Sequence, residues 1–164
     1  MKKALKIIVW SAFIFYCLVL LYIFVLTRIN THIRPYESIR EFLLRVNLIP
    51  FKTVYEYVSK IIHDQINLDT AIGNLIGNLV VFLPMGAFLP FMFQKMRSFK
   101  RTVFTVFFMV LGIEIIEVAF AMGAFDIDDF IFNLGGAMIG YALFCIPFVK
   151  TLMRFCGFEN STTA

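Results

Sequence analysis

The residues of this chain best placed to do chemistry are carboxylates and carboxamides set inside strongly apolar sequence. Glu114 and Glu117 stand three apart within the run from Thr102 to Met122, a spacing that puts both on one helix face. Asn74 and Asn78 stand four apart and share a face within the run from Ala71 to Phe93. Asp126, Asp128 and Asp129 follow, and Asn133, four beyond Asp129, sits at the opening of the run from Phe130 to Phe148. Polar residues in such runs cost roughly 2.5 to 3.5 kcal/mol for a central Asp on insertion scales, so they face a bundle interior or water rather than lipid.

Two neighbouring carboxylates in a medium of low dielectric repel, so one holds a proton or the pair shares a proton or a cation. Glu114 and Glu117 are therefore a candidate general acid and base, a proton site or part of a metal site. Oxygen-only ligands with no nearby His or Cys suit Mg²⁺ or Ca²⁺ rather than Zn²⁺. The structural alternative is that Asn74, Asn78 and Asn133 hydrogen-bond protonated glutamates and pin three helices together. Asp126 or Asp128 also has the chemistry of a helix N-cap, where a carboxylate accepts orphan N–H groups and meets the positive end of the helix dipole.

Other chemistries are excluded. The two histidines, His32 and His63, fall outside the long apolar runs, and there is no Gly-x-Ser-x-Gly, HExxH or phosphate-loop motif. Glu114 and Glu117 are not adjacent and no histidine follows them, which argues against a glutamate–histidine membrane protease. Cys17, Cys145 and Cys156 show no CxxC spacing, so no disulfide or metal framework follows.

These residues must be positioned by helices, because the medium is lipid. The composition is 60% hydrophobic with a mean hydropathy of +0.85, well beyond the roughly 45 to 50% apolar content of soluble domains. Four runs are long enough to span a bilayer: Ile7 to Leu26, Ala71 to Phe93, Thr102 to Met122 and Phe130 to Phe148. Residues 1–164 then form a single all-α membrane domain with four transmembrane helices. The first run follows Lys2, Lys3 and Lys6, and is too long and too poor in small residues for a cleaved signal peptide.

Lys95, Arg97, Lys100 and Arg101 lie between the second and third runs, whereas Gly123 to Asp129 holds three aspartates and no basic residue. Positive-inside logic places the N-terminus, this basic loop and the C-terminus in the cytoplasm. The net charge of +4 is spread over loop segments that bracket the apolar runs, which fits topology and headgroup contacts rather than nucleic acid. With this orientation and a rise of 1.5 Å per residue, Asn78 lies about 9 Å, Glu117 about 8 Å and Glu114 about 12 Å below the outer surface. The polar residues thus gather in the outer part of the bilayer.

Between the first and second runs, Tyr36, Ile39, Leu43 and Val46 recur at helical spacing, as do Val54, Tyr57, Val58, Ile61 and Ile62. This pattern predicts two short amphipathic interfacial helices in the first extracytoplasmic segment, broken at Ile49 by Pro50. Gly73-xxx-Gly77 and Gly136-xxx-Gly140 predict close helix approach on the second and fourth spans. Pro84 predicts a kink in the second.

Residues 45–142 resemble the VanZ-like family of bacterial membrane proteins. The resemblance rests on Asn47-Leu48-Ile49-Pro50-Phe51, Gly77-Asn78-Leu79, Phe82-Leu83-Pro84-Met85-Gly86, Glu114-Ile115-Ile116-Glu117, Asp126-Ile127-Asp128-Asp129, Asn133-Leu134-Gly135-Gly136 and Gly140. Glu117 departs from the family's usual Gln, and Gly123-Ala124 stands where many members carry an Arg. That leaves the acidic cluster to a cation, to protonation, or to Arg28, Arg34, Arg40 or Arg45 as a substitute.

The family takes its name from a protein linked to low-level teicoplanin resistance. The resemblance implies a multi-pass protein of the bacterial cytoplasmic membrane that contributes to glycopeptide or lipoglycopeptide resistance. The expected site is an outer-leaflet pocket of Asn74, Asn78, Glu114, Glu117, Asp126, Asp128, Asp129 and Asn133 holding a lipid-linked or headgroup ligand. Two alternatives stay open: an enzyme acting on lipid-linked cell-wall precursors through the paired carboxylates, and a small transporter or proton relay, for which the apolar inner half offers no polar path. Expected partners are membrane lipids and a lipid-linked precursor or lipoglycopeptide, with no nucleic acid. A homo-oligomer and a bound divalent cation, Mg²⁺ or Ca²⁺, remain open.

Overall fold

A computed structural model describes residues 1–26, 38–44, 46–121 and 125–158. Every regular element in it is helical. Helix α1 spans Lys2–Leu21 and continues as a π turn over Tyr22–Leu26; α2 spans Ile39–Leu44, α3 Lys52–Ile62 and α4 Leu68–Met92. A 3₁₀ turn over Gln94–Arg97 leads to α5, Phe99–Ala119, followed by α6, Ile127–Phe144, and α7, Pro147–Phe155. Four of these are long and apolar enough to cross a membrane: Lys2–Phe24, Ala71–Met92, Phe99–Ala119 and Ile127–Phe144. The fourth has the lowest mean hydropathy, 1.2, because it carries Asp128, Asp129 and Asn133.

The two predicted amphipathic segments appear as α2 and α3. Tyr36 and Arg45, part of the first pattern, lie outside the described residues. The break falls at the predicted place, with a bend at Ile49 and a turn through Pro50 and Phe51. Phe51 takes left-handed backbone angles, φ 63°, a costly conformation for a bulky residue that must be held by its surroundings.

Helix boundaries differ from the hydropathy runs, and three of the shifts fall around the fourth span. The third helix ends at Ala119 rather than Met122, and the fourth starts at Ile127, where Asp126 supplies its N-cap. The fourth also stops at Phe144, because Pro147 begins a separate helix at its first turn. The apolar run to Phe148 takes in only the first two residues of α7 and so does not mark it as a separate helix.

The closest packing joins α4 and α6, which run parallel. A Cβ added at Gly136 would lie 1.8 Å from the Leu79 carbonyl oxygen, and one at Gly140 would lie 1.9 Å from that of Leu83. Reciprocally, a Cβ at Gly86 would lie 1.9 Å from the Ala137 carbonyl oxygen. Only glycine permits this backbone approach. Gly73 and Gly77 do not share in it, since a Cβ at either meets nothing within 4 Å. The small-residue pair expected on the second span is therefore replaced by Gly86, about two and a half turns beyond Gly77.

Helix α4 runs unbroken through Pro84 and Pro90. Pro84 removes the N–H that would bond the Val80 carbonyl, and at the adjacent Val81 carbonyl a hydroxyl from another helix arrives: Tyr16 donates to it at 2.7 Å. Tyr16 thus ties α1 to this weakened part of α4, together with Leu20 and Phe24 packed on Phe82. The opposite flank of α1, including Ile7, Ile14, Phe15 and Leu18, is exposed, as a lipid-facing surface requires.

The core divides into two layers. Phe82, Met85, Val106, Val110, Phe130 and Ala137 fill the middle of the bundle. Phe91, Met92, Phe144, Met153, Cys156 and Phe158 form a second, terminal layer at the end where α1 begins and α7 ends, where Lys6 lies 5.2 Å over the Phe158 ring.

Candidate functional site

The eight candidate residues lie toward the end of the bundle opposite that terminal layer, and the first to explain is Asp126. Its backbone is extended, and its side chain accepts the Asp128 N–H at 2.9 Å, which caps α6. The same carboxylate accepts Asn47 Nδ2 at 3.1 Å and the Thr53 hydroxyl. Its backbone N–H points to Glu114 Oε2 at 3.4 Å. Asp126 therefore links α5, α6 and the loop before α3.

Asp128 is 1% exposed and caps a different helix. Its Oδ1 accepts the Phe51 N–H, and its Oδ2 accepts those of Thr53 at 2.8 Å and Val54 at 3.3 Å. Helix α3 has no side-chain cap of its own; Phe51 occupies the cap position in left-handed geometry, and Asp128 supplies the missing acceptor from another element. Of the two aspartates offered as caps of the fourth span, Asp126 takes that role, whereas Asp128 caps α3.

A short parallel bridge pairs Asn47 with Asp126. Asn47 N–H donates to the Phe125 carbonyl at 2.7 Å, and Ile127 N–H donates to the Asn47 carbonyl at 3.0 Å. The Asn47 side chain meanwhile donates to Thr53 Oγ1 at 3.1 Å and accepts the Ile49 N–H at 3.3 Å. The loop preceding α3 is thus fastened to the start of α6 by main chain and side chain together.

Deeper in the bundle, Asn78 Nδ2 donates to Asp129 Oδ1, joining α4 to α6. Asn74, one turn nearer the surface and exposed, donates to the Tyr57 hydroxyl at 3.0 Å. Burial pushes the Tyr57 phenol above its ordinary value; the Asn74 hydrogen bond opposes the shift, and the charges of Asp129, Asp126 and Glu56 add to it. Asn133, one turn beyond Asp129 on α6, is 2% exposed, and its Oδ1 has no hydrogen-bond partner among the described residues.

Glu114 and Glu117 are 3% and 2% exposed, on the inward face of α5 as their spacing predicted. The asparagines do not all converge on them. Asn74 reaches Tyr57, and Asn78 reaches Asp129. Among the described residues no three His, Cys, Asp or Glu side chains are grouped to hold a metal ion. Of the proposed substitute cations, Arg40 is exposed, and Arg28, Arg34 and Arg45 lie outside the described residues.

Sequence reasoning missed Asn47, Thr53 and Tyr57. Asn47 opens the Asn-Leu-Ile-Pro-Phe run that carried the family resemblance, a signal that was read as a turn and not as part of the site. Helical spacing puts Tyr57 on the apolar face of α3, and nothing in the local pattern reveals its hydroxyl contact.

The match to the family model for VanZ/LLP1 covers residues 13–150. The chain is also 35% identical over 104 residues to Protein VanZ of Enterococcus faecium, a stretch covering 59% of this chain and 64% of that relative. No solved structure matches the chain. With the family model reaching from midway along the first apolar helix through the other three and the whole polar cluster, the chain belongs to the VanZ/LLP1 family of multi-span membrane proteins.

Proposed function

We propose that this protein lowers sensitivity to teicoplanin-type glycopeptides by binding a lipid-linked or headgroup ligand within the polar cluster where α3, α4, α5 and α6 meet. The observation that carries the reading is Asn133. It is a buried carboxamide with an acceptor left over among the described residues, and a buried acceptor without a donor costs about 1 to 3 kcal/mol. A hydroxyl or amide N–H of a sugar–peptide headgroup supplies that donor. Exposed Asn74 and the Asn78–Asp129 pair extend the polar surface toward the bundle end.

The positive-inside distribution puts this end outside the cytoplasmic membrane, where wall precursors and glycopeptides meet. Binding draws more support than catalysis. Asp126 and Asp128 are engaged by main-chain N–H groups, Asn47 and Thr53, which makes them framework rather than general acid or base.

The test is expression in a susceptible bacterium, with teicoplanin sensitivity measured at matched membrane levels. Asp129→Asn weakens the contact to Asn78 without changing size, and it restores susceptibility on this reading. Undiminished resistance in that variant removes the cluster from the mechanism.

A further inference from the structure

Helix α3 presents three stripes rather than the two of an ordinary amphipathic helix. Val54, Tyr57 and Ile61 are half-buried and turn to the bundle, where the Tyr57 hydroxyl meets Asn74. Lys52, Glu56 and Lys60 form a polar stripe at four-residue spacing, with Lys52 and Glu56 paired at 3.9 Å. Phe51, Tyr55, Val58 and Ile62 recur at three- and four-residue spacing and are exposed, Tyr55 and Ile62 at 73%. Exposed Leu48 and Ile49 precede this stripe in the loop.

The depth of α3 follows from what it is tied to. Asn74 lies three residues inside the apolar span Ala71–Met92, about 4.5 Å at 1.5 Å per residue, between exposed Ile72 and Ile76. Asp128, which accepts the N–H groups of Phe51, Thr53 and Val54, is the second residue of the span Ile127–Phe144. Both anchors therefore sit within membrane-crossing helices rather than beyond their ends. Six large apolar side chains exposed at that level face acyl chains, since a monomer in water rarely exposes so large a patch.

The main chain is equipped for the same medium. A helix start ordinarily leaves its first N–H groups to water. Here the N–H of Ile49 bonds Asn47 Oδ1, Pro50 has none, those of Phe51, Thr53 and Val54 reach Asp128, and those of Lys52 and Tyr55 reach the Ile49 and Phe51 carbonyls. Every N–H from Ile49 to Tyr55 thus has an acceptor within the protein. That is what irregular backbone needs where water is scarce.

We propose that α3 lies in the plane of the bilayer, immersed at the end of the bundle that holds the polar cluster, with Phe51, Tyr55, Val58 and Ile62 among lipid acyl chains. The bundle flanks it on one side, and Lys52, Glu56 and Lys60 rise to headgroup level. The occupant of the exposed stripe is lipid, not a second protein. The mouth of the cluster at Tyr57 and Asn74 then opens among headgroups rather than into bulk water. The proposal stands apart from the resistance reading, because it concerns where α3 sits and not what Asn133 binds.

The experiment uses the full-length protein in lipid nanodiscs, with the native tryptophan removed by Trp10→Phe and single tryptophans introduced as Tyr55→Trp, Ile62→Trp and Lys60→Trp. Fluorescence is quenched from the acyl region by phosphatidylcholine brominated near the ester end of its chains, and from water by iodide. Bromolipid lowers the emission of Tyr55→Trp and Ile62→Trp about twofold, while iodide acts about twofold more strongly on Lys60→Trp than on either. Unfolding temperatures matching the Trp10→Phe parent certify each variant, and two positions on the stripe guard against the loss of one. Equal iodide quenching at all three positions places the stripe in water and overturns the proposal. Protection of Tyr55→Trp and Ile62→Trp from both quenchers shows protein over the stripe and overturns it equally.

Discussion

Asp128 on α6 accepts the backbone N–H of Thr53 at 2.8 Å, so a residue of the fourth span serves as the N-cap of a helix that precedes the second. A capping side chain ordinarily sits next to the helix it caps. Here the cap is tertiary, and the interfacial helix is docked on the bundle by the same hydrogen bonds that allow it to begin. The adjacent Phe51, held in left-handed geometry, donates to the other oxygen of the same carboxylate.

Removing that carboxylate exposes the dependence. Asp128→Ala leaves the N–H groups of Phe51, Thr53 and Val54 without their acceptor, at a cost of about 1 to 3 kcal/mol. Asp128→Asn keeps one carbonyl oxygen and loses less. The loss is measured as a lower unfolding temperature and faster tryptic cleavage at Lys52 and Lys60, both exposed on α3. Unchanged cleavage in Asp128→Ala rules out Asp128 as the anchor of α3.

The glycines make a second, contrasting prediction. Gly136→Ala and Gly140→Ala each push a methyl group to within 2 Å of a carbonyl oxygen, where backbone rather than a flexible side chain must give way. Both variants separate α4 from α6, break the Asn78–Asp129 contact and destabilise by several kcal/mol, about the scale of severe overpacking. Gly73→Ala meets open space and adds helix propensity, for a gain of about 0.5 to 1 kcal/mol. Unfolding temperatures of the three variants in one detergent decide the matter. Equal effects at Gly73 and Gly136 contradict the packing described.

That contrast shows where the sequence is readable and where it is not. Glu114 and Glu117 on a buried face follow from periodicity, and Asn78 in the same outer part of the bundle as the aspartates follows from the rise per residue, because a straight helix converts sequence number into position; the direct Asn78–Asp129 contact does not. Gly73-xxx-Gly77 has the same local spacing as Gly136-xxx-Gly140, but which pair meets a neighbour depends on helix rotation, which spacing alone does not set. Asn47 and Thr53 are likewise ordinary turn residues until the chain pairs Asn47 with Asp126, a contact across seventy-nine positions. Helix α7 was concealed because hydropathy does not register the turn at Cys145 and Ile146, although Pro147 followed by Lys150 and Arg154 was there to be read.

Tyr57 provides a pH test. Burial raises its phenol above the ordinary 10.0, and the neighbouring acidic charges act in the same direction. The folded state therefore holds this proton more tightly than the unfolded chain. Its contribution to stability is intact below pH 10.0 and is lost as pH rises toward the higher folded value. Thermal unfolding between about pH 9 and about pH 11 falls more steeply for the native protein than for Tyr57→Phe. Parallel curves mean that Tyr57 does not ionise late.

Asn133 separates a binding role from a structural one. A buried amide kept for stability is missed when it is replaced. An amide kept for a ligand is not, because exchanging a partly satisfied polar group for an apolar one of similar branching is close to neutral or stabilising. Asn133→Leu is therefore expected to leave the unfolding temperature unchanged or higher, while teicoplanin sensitivity returns to that of cells lacking the protein. Asn78→Leu behaves differently, since it removes a hydrogen-bond donor from the Asp129 carboxylate, and it loses stability and resistance together. Should Asn133→Leu instead unfold at lower temperature with resistance retained, the amide belongs to the framework, and the ligand must be sought nearer Asn74 and Tyr57, where the cluster opens to the surface.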